Sequence, residues 1–222
     1  MKRQKTFEND NPKLYLVATP IGNLEDITLR ALKVLKEVDL IAAEDTTHTL
    51  GLLNHFEISK PLISYYKQNE KTKSEILIQK LLEGKNIAIV SDAGTPGISD
   101  PGEEIVKVAI ENGIEIVPIP GACAFVNAFV LSGFSTPLTF VGFLPEKKSA
   151  KLKLLQELSN YNSTLIFYIS PHNLTDTFEF LSETLGDREC AVVREITKLY
   201  EEVTYSTLAK GYNGVEKGEF VL

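Results

Sequence analysis

One segment of the sequence concentrates groups that could bind a small polar ligand: SDAGTPGISDPG, residues 91–102. Its glycines and prolines hold backbone N–H and C=O groups in constrained turns, and Asp92 and Asp100 add carboxylates. These groups suit ribose hydroxyls or the ammonium of an amino-acid-like ligand. The segment has no lysine and no GxxxxGK[ST] pattern, which argues against a triphosphate. It therefore predicts a site for a neutral or cationic ligand.

A second segment, AEDTTHT (43–49), contains groups that could accept a proton. Asp45 and His48 lie three residues apart, and a carboxylate beside an imidazole is a plausible general-base pair. The alternative is that Asp45 or Thr46 caps the next helix through its side-chain oxygen. Both interpretations stay open at this point.

Two shorter turns are further candidates. TPIGN (19–23) offers backbone N–H groups close to a helix start, although it is not a GxGxxG motif and a plain strand-to-helix turn would look similar. PGACA (120–124) places Pro120 and Gly121 where a flat ring could lie on the backbone. Its alternative is a packed turn between domains.

A run of lysines, EKKSAKLK (146–153), is either a solvated helix face or an RNA-phosphate footprint. The basic N-terminal residues Lys2, Arg3 and Lys5 are the alternative place for RNA contacts. The 23 Lys+Arg and 30 Asp+Glu residues give a net charge of −7. That charge weighs against bulk nucleic-acid binding and leaves a local basic patch possible.

The elements that must position these segments form a regular series. Short apolar runs at 14–19, 40–44, 86–91 and 114–119 alternate with helix-period segments, which predicts βαβ units and a mostly parallel sheet. Ligands bind outside the carboxyl ends of strands in such sheets. The turns at 19–23, 43–49, 91–102 and 120–124 all follow strands and are therefore the informative loops.

The second half has a different pattern. Apolar runs at 138–144, 164–169 and 190–195 predict strands with helices between them, while 198–208 and 219–222 predict antiparallel strands. The helices are predicted near 149–160 and 172–185, and a further one over 120–133. We predict an α/β fold with an N-terminal, mostly parallel domain at 13–121 and a C-terminal, mixed-sheet domain at 122–222.

Composition excludes several classes. The chain has 222 residues, 43% of them hydrophobic, which is typical of a globular protein. No apolar run approaches the roughly 18 residues of a membrane span, and the N-terminus lacks an apolar signal region, so we expect a cytoplasmic protein. Cys123 and Cys190 show no CxxC or Cys/His spacing, so neither a disulfide framework nor a metal site is expected.

Several strings together carry a resemblance: LYLVATPIGNLEDITLRAL, AEDTTHT, IVSDAGTPGISDPG, PGACA, FVGFLP, TLIFYISPHNL, REITKLYEE and KGEF. From about residue 13 onward, in order, the chain resembles the bacterial 16S ribosomal RNA cytidine 2′-O-ribose methyltransferases. The resemblance implies the tetrapyrrole-methylase fold, with two α/β domains and S-adenosylmethionine in the cleft between them. It also implies a homodimer that acts on 16S rRNA in the small ribosomal subunit. Methyl transfer from a sulfonium needs no metal, and the apolar runs predict no membrane partner.

Particular residues can be given roles. The general base is expected among Asp45, His48 and Glu195, ranked in that order because AEDTTHT ends a strand beside the cofactor loop. Substrate contacts are expected from the basic run at Lys147, Lys148, Lys151 and Lys153, and the resemblance adds His172, Arg194 and Lys198. The resemblance further implies cofactor contacts from Pro20, Ile21, Gly22, Asp92, Ala93, Gly94, Ser99, Asp100, Pro120, Gly121, Ala122, Tyr168 and Ser170.

The chain departs from the family pattern at three positions. The family usually has Arg, Glu and Arg where Thr47, Ile169 and Asn173 stand. Because the guanidinium group of Arg binds phosphate through two N–H groups at once, these changes bear on how RNA is positioned. The alternatives are a same-fold methyltransferase for a small tetrapyrrole, or a cofactor-binding module without catalysis, which these departures favour. A purely structural interaction domain would not explain the constrained segment 91–102.

Overall fold

A computed structural model describes residues 3–6 and 8–222. The chain divides into two compact units, with the division between Cys123 and Ala124. Each unit contains one five-stranded sheet with helices packed on it. The predicted α/β class is confirmed.

The N-terminal unit has a sheet in which every pairing between strands is parallel, in the order β3-β2-β4-β1-β5. Its strands are β1 (Lys13–Val17), β2 (Leu40–Ala43), β3 (Leu62–Ser64), β4 (Ile87–Val90) and β5 (Glu115–Ile119). Its helices are α1 (Leu29–Glu37), α2 (Thr46–His55), α3 (Glu70–Leu82) and α4 (Glu103–Glu111).

Strand β4 shows why this sheet is buried on both faces. Ile87 and Ile89 pack into one apolar cluster with residues of α3 and α4, whereas Ala88 and Val90 pack into another with residues of α1 and α2. A strand covered on both faces needs apolar residues at every position, as in IAIV. The continuous apolar run was therefore a strand signal.

The strand order places a topological switch point between β1 and β4. From β1 the chain moves outward to β2 and β3, and from β4 it moves to β5 on the other side of β1. The turns after β1 and β4 consequently leave the sheet side by side, at the place where open α/β sheets bind ligands.

The C-terminal unit has a mixed sheet in the order β6-β7-β10-β8-β9. Strands β6 and β7 are parallel, while β10 is antiparallel to both β7 and β8. The strands are β6 (Leu138–Phe143), β7 (Thr164–Ile169), β8 (Glu189–Arg194), β9 (Glu202–Thr207) and β10 (Phe220–Val221). The helices are α5 (Ala124–Ser132), α6 (Lys148–Leu158) and α7 (Leu174–Leu185).

Two predicted boundaries were wrong. Helix α5 begins only at Ala124, so residues 120–123 form a turn. Residues 198–201 are a turn before β9, because Glu195 and Thr197 have φ of 49° and 68° and the Glu201 side chain accepts a hydrogen bond from the Thr197 N–H at 2.6 Å. A local side-chain contact thus outweighs the alternating pattern of KLYEE.

Candidate functional site

Two of the candidate segments are joined directly at the switch point. Thr19 and Gly94 exchange backbone hydrogen bonds, with N–H to O distances of 2.9 and 3.0 Å. The Thr19 hydroxyl also donates to the Ser91 carbonyl at 3.1 Å. The turn after β1 and the loop after β4 are therefore one hydrogen-bonded unit.

The turn after β5 packs against the same unit. The Thr95 hydroxyl donates to the Ala122 carbonyl at 3.2 Å. Gly94 has a φ of 85°, and a Cβ there would lie 3.3 Å from Ile21 Cγ2 and 3.6 Å from the Ala122 oxygen. At Gly121 a Cβ would lie 2.9 Å from Ala18 Cβ, closer than real contacts allow. Glycine is needed at both positions, and the three predicted cofactor turns lie together.

We call this assembly the switch-point site and define it as residues 19–22, 91–102 and 120–122. The predicted cofactor residues of the N-terminal unit all belong to it. Gly22 and Ser99 have positive φ angles, of 148° and 64°. The turns that contain them therefore adopt backbone conformations that do not occur in regular helices and strands. The site offers backbone groups in fixed directions and contains no lysine or arginine.

Three carboxylates lie at this edge of the sheet, and we call them the switch-point carboxylates: Glu44, Asp92 and Asp100. Glu44 follows β2 and its Oε2 accepts a hydrogen bond from the Asp92 N–H at 3.4 Å. Burial, followed by repulsion from Glu44 and Asp92, raises the pKa of Asp100 to about 7. Burial also raises the pKa of Glu44. The electrostatic potential at the site is therefore negative.

A further residue, which the sequence did not single out, holds the end of the loop. Glu70, the first residue of α3, accepts a hydrogen bond from the Gly102 N–H at 2.8 Å and one from the Tyr65 hydroxyl at 3.4 Å. The Tyr65 hydroxyl also lies 3.0 Å from the Ser74 hydroxyl. Burial raises the pKa of Tyr65 to about 12, so this phenol stays a neutral hydrogen-bonding group. Only the pairing of α3 with the loop in three dimensions reveals this role.

Asp45 has the capping role that was one of its two interpretations. Its Oδ1 accepts hydrogen bonds from the N–H groups of Thr47 and His48 at 2.7 and 3.2 Å. Those bonds, first the one from His48, lower its pKa. The Asp45 N–H itself donates to Asp92 at 3.0 Å, so the start of α2 is tied to the switch-point site. His48 is exposed on the first turn of the same helix.

In the C-terminal unit the candidates fall into separate groups. The Tyr168 hydroxyl accepts a hydrogen bond from the Phe125 N–H at 3.3 Å, and its ring packs edge-on against Phe140 and Phe143. Ser170 precedes a short 3-10 turn that contains the exposed His172. Tyr168 and Ser170 lie at the end of β7.

Arg194 and Lys198 are held in internal contacts. Arg194 is only 9% exposed and donates to the carbonyls of Lys217 and Tyr200, at 2.7 and 3.3 Å. Lys198 Nζ lies 2.8 Å from both Glu195 Oε1 and Glu219 Oε2. Burial alone would raise the pKa of Glu195, but hydrogen bonds from Lys198 and the Glu219 N–H keep it below its ordinary value. One lysine is therefore shared by two carboxylates, Glu195 and Glu219.

The candidate lysines lie around the start of α6. Lys147 is the N-cap residue and makes no side-chain cap bond, and the first turn of the helix contains no acidic residue. Lys151 lies over the Phe180 ring, 5.3 Å from its centroid. Lys153 is about 200° further round the helix than Lys151 and so faces another side. In the N-terminal alternative, Lys5 pairs with Glu8 at 2.7 Å, and Lys2 lies outside the described residues.

Comparisons with known proteins identify close relatives. The profile of the tetrapyrrole (corrin/porphyrin) methylases matches residues 13–210. The ribosomal RNA small subunit methyltransferase I of Halalkalibacterium halodurans is 49% identical over the whole chain, which spans 79% of that protein. The Bacillus subtilis protein of that name is 48% identical, with 100% and 78% covered. The Thermotoga maritima one is 46% identical, with 92% of each chain covered.

Solved structures share the fold at lower identity. A cobalt precorrin-4 methyltransferase superposes with a TM-score of 0.66 at 18% identity, over 94% of this chain and 93% of that one. A uroporphyrin-III C-methyltransferase from Thermus thermophilus, in complex with S-adenosyl homocysteine, superposes with a TM-score of 0.65 at 18% identity, over 94% and 95%. Within residues 3–6 and 8–222, no helix is long and apolar enough to span a membrane, and no group of three or more His, Cys, Asp or Glu side chains is placed to hold a metal ion.

Proposed function

The chain belongs to the ribosomal RNA small subunit methyltransferase I family of the tetrapyrrole methylases, and we propose that it transfers a methyl group from S-adenosylmethionine to the ribose 2′-oxygen of a cytidine in 16S rRNA. The observation that carries this proposal is the switch-point site. Its sequence strings are among those on which the resemblance to the family rests, and they are brought together in one hydrogen-bonded unit. We place the enzyme in the cytoplasm, where ribosomal subunits are assembled.

The residues of the switch-point site fit S-adenosylmethionine. Fixed backbone donors and carbonyls suit the adenosine and amino-acid parts of that molecule, and the three carboxylates suit its positive charges. When bound, it supplies an electrophilic methyl group on a sulfonium ion. We propose that Pro20, Ile21, Gly22, Asp92, Ala93, Gly94, Ser99, Asp100, Pro120, Gly121 and Ala122 hold the cofactor, together with Tyr168 and Ser170 of the C-terminal unit.

The chain must also make the ribose hydroxyl reactive. Positioning the oxygen in line with the methyl group supplies much of the rate, and removal of the hydroxyl proton supplies more. Asp45, His48 and Glu195 are the proposed bases. Glu195 is engaged by Lys198, whereas Asp45 is exposed and its N–H contacts the switch-point site through Asp92. We therefore rank Asp45 and the neighbouring His48 above Glu195.

RNA binding is assigned to the start of α6. Lys147, Lys148 and Lys151 lie on one side of its first turns, where the unpaired N–H groups and the helix dipole also favour an anion. Lysine is unfavourable for helix stability at that end, so a phosphate partner is a physical reason for its presence there. Lys153, His172, Arg194 and Lys198 remain proposed contacts, and the last two would have to leave their present ion pairs to reach RNA.

A homodimer is part of the proposal, and helix α5 supports it. The helix sequence AFVNAFVLS is almost entirely apolar, yet only Ala128 is buried, and Val130 is 72% exposed. Val126 and Leu131 are exposed as well. Such a surface is typical of an interface. Sedimentation of Val130→Glu beside the parent protein tests this, because a dimer that uses α5 will dissociate.

The test of the function is substrate choice. Purified protein is given labelled S-adenosylmethionine with small ribosomal subunits, or with a uroporphyrinogen. We expect label in the RNA and none in the tetrapyrrole. Label in the tetrapyrrole would favour the same-fold alternative, and cofactor binding without any transfer would favour the non-catalytic module, for which Thr47, Ile169 and Asn173 were the sequence arguments. Ile169 is only 5% exposed and packs in the apolar core, so this position does not offer a charged contact to RNA.

A further inference from the structure

We propose that Tyr200 binds the RNA substrate by stacking its ring on a base of a single-stranded segment. Tyr200 lies near the tip of the loop at 194–202, which joins β8 to β9. This inference rests on the proposed function and deepens it, because it names a group that recognises the substrate without contacting a phosphate.

The loop leaves its sheet at the end where the proposed ligand-binding residues of the C-terminal unit lie. Strand β10 is antiparallel to both β7 and β8, so β7 and β8 run in the same direction. The residues that follow β8 therefore leave the sheet at the same edge as Ser170 and His172, which follow β7. An exposed group on this loop is consequently placed where the substrate is proposed to bind.

The main chain of the loop is held in a strained shape. The φ angles of Glu195 and Thr197 are 49° and 68°, and such values are unusual for a β-branched residue like threonine. The Thr197 N–H donates to the Glu201 side chain at 2.6 Å, and Arg194 Nη1 donates to the Tyr200 carbonyl at 3.3 Å. Strained backbone that neighbouring contacts maintain is often part of a functional loop. These contacts fix the main chain of Tyr200 before RNA binds.

The side chains at the tip are exposed although the main chain is fixed. Leu199 is 89% exposed and Tyr200 is 66% exposed. Tyr205 on β9 is equally exposed, but its hydroxyl donates to the Leu131 carbonyl at 2.7 Å. In the described part of the chain, no such hydrogen bond engages the Tyr200 hydroxyl. A tyrosine ring on an ordered main chain offers a large contact area at a low cost in conformational entropy.

The charges around the ring favour a base over a phosphate. Lys198 lies 2.8 Å from both Glu195 and Glu219, and Arg194 lies 3.5 Å from Glu202. Both cations of the loop are thus paired with carboxylates, and those carboxylates repel a phosphate. The face of a base carries no net charge, and bases of single-stranded RNA stack on aromatic side chains. Stacking is therefore the contact with RNA that this loop can make as it stands.

A second copy of the chain is a poorer fit to the tip of the loop. Two apolar side chains are exposed there, Leu199 and Tyr200, and the charged residues Lys198 and Glu201 flank them in the sequence. A stable interface between protein chains buries about 800 Å² of each partner around an apolar centre. Two side chains provide too little surface for that, whereas one ring is enough for one base.

The test is methyl transfer to purified small ribosomal subunits by the whole protein, with cofactor binding measured separately by calorimetry. Tyr200→Ala should raise the KM for the subunits roughly 10- to 100-fold, the effect of losing one stacked base. Its kcat should stay within about threefold of the parent value, and its Kd for S-adenosylmethionine should not change. Tyr200→Phe keeps the ring and should behave as the parent protein.

Salt dependence distinguishes stacking from a phosphate contact. Stacking releases no counterion, so the slope of log affinity against log salt should be the same in Tyr200→Ala and in the parent protein. Tyr161→Ala is the matched control. Tyr161 is 53% exposed and precedes β7, so it lies at the opposite end of the sheet, and we expect no change in KM.

The outcomes separate the two proposals. An unchanged KM in Tyr200→Ala, or an equal rise in Tyr200→Phe or in Tyr161→Ala, would overturn this inference and leave the methyltransferase function intact. A lower salt slope in Tyr200→Ala would also overturn it, in favour of a phosphate contact. Sedimentation of Tyr200→Ala as a smaller species than the parent protein would assign the ring to an interface between copies. Absence of methyl transfer to the subunits by the parent protein would overturn both proposals.

Discussion

The loop at 91–102 and the loop at 194–202 each follow an interior strand of their sheet and each contain several carboxylates, but their electrostatics differ. In the first, Asp100 faces only negative neighbours and burial raises its pKa to about 7. In the second, Lys198 and the Glu219 N–H hold the pKa of Glu195 below its ordinary value despite burial. No cation acts on Asp100 in the first loop, whereas a lysine pairs with Glu195 in the second.

This electrostatic difference suggests different roles for the charged groups of the two loops, ligand binding for the first and stabilisation of the fold for the second. A group of carboxylates without cations costs stability and persists where a ligand supplies the missing charge. A carboxylate that accepts hydrogen bonds from a lysine and a backbone N–H contributes to stability and has a low affinity for a proton. We therefore expect changes to the charged groups of the first loop to alter ligand binding and chemistry, and changes to those of the second to alter folding.

The largest expected effect concerns the general base. Asp45→Asn should slow methyl transfer by roughly 10² to 10⁴ at saturating cofactor, because Asn cannot accept the proton. Asn caps helices as well as Asp does, so α2 should keep its cap. Single-turnover rates measure this, with Glu195→Gln as the matched control, for which we expect lower stability and a nearly unchanged rate. The reverse result would place the base in the second loop.

Gly94→Val should abolish cofactor binding, with a loss of about 100-fold or more. The new side chain would meet Ile21 and the Ala122 carbonyl and would fill the space where backbone meets ligand. Gly113→Val is the control, since Gly113 also has a positive φ of 71° but a Cβ there meets nothing within 4 Å. Calorimetry with equal cofactor affinity in a folded Gly94→Val protein would remove the first loop from the site.

RNA affinity should depend on salt through α6. Replacing Lys147, Lys148 and Lys151 by Ala should lower the slope of log affinity against log salt by about 2, at about 0.7 per phosphate contact with single-stranded RNA. Lys153→Ala, on another side of the helix, should change it by about 0.7 at most. Titrations at several salt concentrations measure both. An unchanged slope in the triple variant would mean that the lysines of α6 form only a solvated helix face. The RNA contacts would then be assigned to Arg3 and Lys5.

Lys198→Met should destabilise the protein by about 1–2 kcal/mol, since it leaves Glu195 and Glu219 without their shared partner in a partly exposed site. The loss should be greatest above the pKa of Glu195 in the unfolded chain, and should vanish as the pH falls through its lower pKa in the folded protein. Denaturation at pH 7 and at pH 3 tests this. An equal loss at both would show that packing, not charge, is responsible.

The smallest effect has the opposite sign. A carboxyl group whose pKa is raised on folding makes the folded protein less stable as the pH rises from about 4 to about 7. Asp100→Asn removes that loss, so Tm should rise by roughly 2–4 °C at pH 8, allowing for solvent screening, and hardly change at pH 4. Thermal unfolding of the protein without cofactor measures it. A fall in Tm at pH 8 would mean that the ionised Asp100 is favourably paired.

The contrast also shows what the sequence could and could not predict. Strand β4 and the segment 91–102 stood out because burial on both faces and tight turns each need particular residue types. Glu70 did not, since its contact with Gly102 depends on where α3 meets a loop 32 positions away. The ion pairs of Lys198 were equally hidden, because Glu219 becomes its neighbour only when the chain end returns to the sheet as β10.

The internal contacts of two cations were also not predictable from the sequence. The resemblance implied that Arg194 and Lys198 contact substrate, and the structure shows that both are engaged by neighbouring oxygen atoms. The Asp45 carboxylate was ambiguous for a similar reason: capping and proton transfer need the same group in the same place. Only the hydrogen bonds to Thr47 and His48 established the capping role.

The most direct test of the proposed function is the chemical position of the transferred methyl group. Small ribosomal subunits are incubated with the protein and labelled S-adenosylmethionine, and the RNA is then hydrolysed with alkali, which requires a free 2′-hydroxyl at each cleaved linkage. We expect the label to stay in an alkali-resistant fragment that begins with a 2′-O-methylated cytidine. Label released on a methylated base with its 2′-hydroxyl free would contradict it.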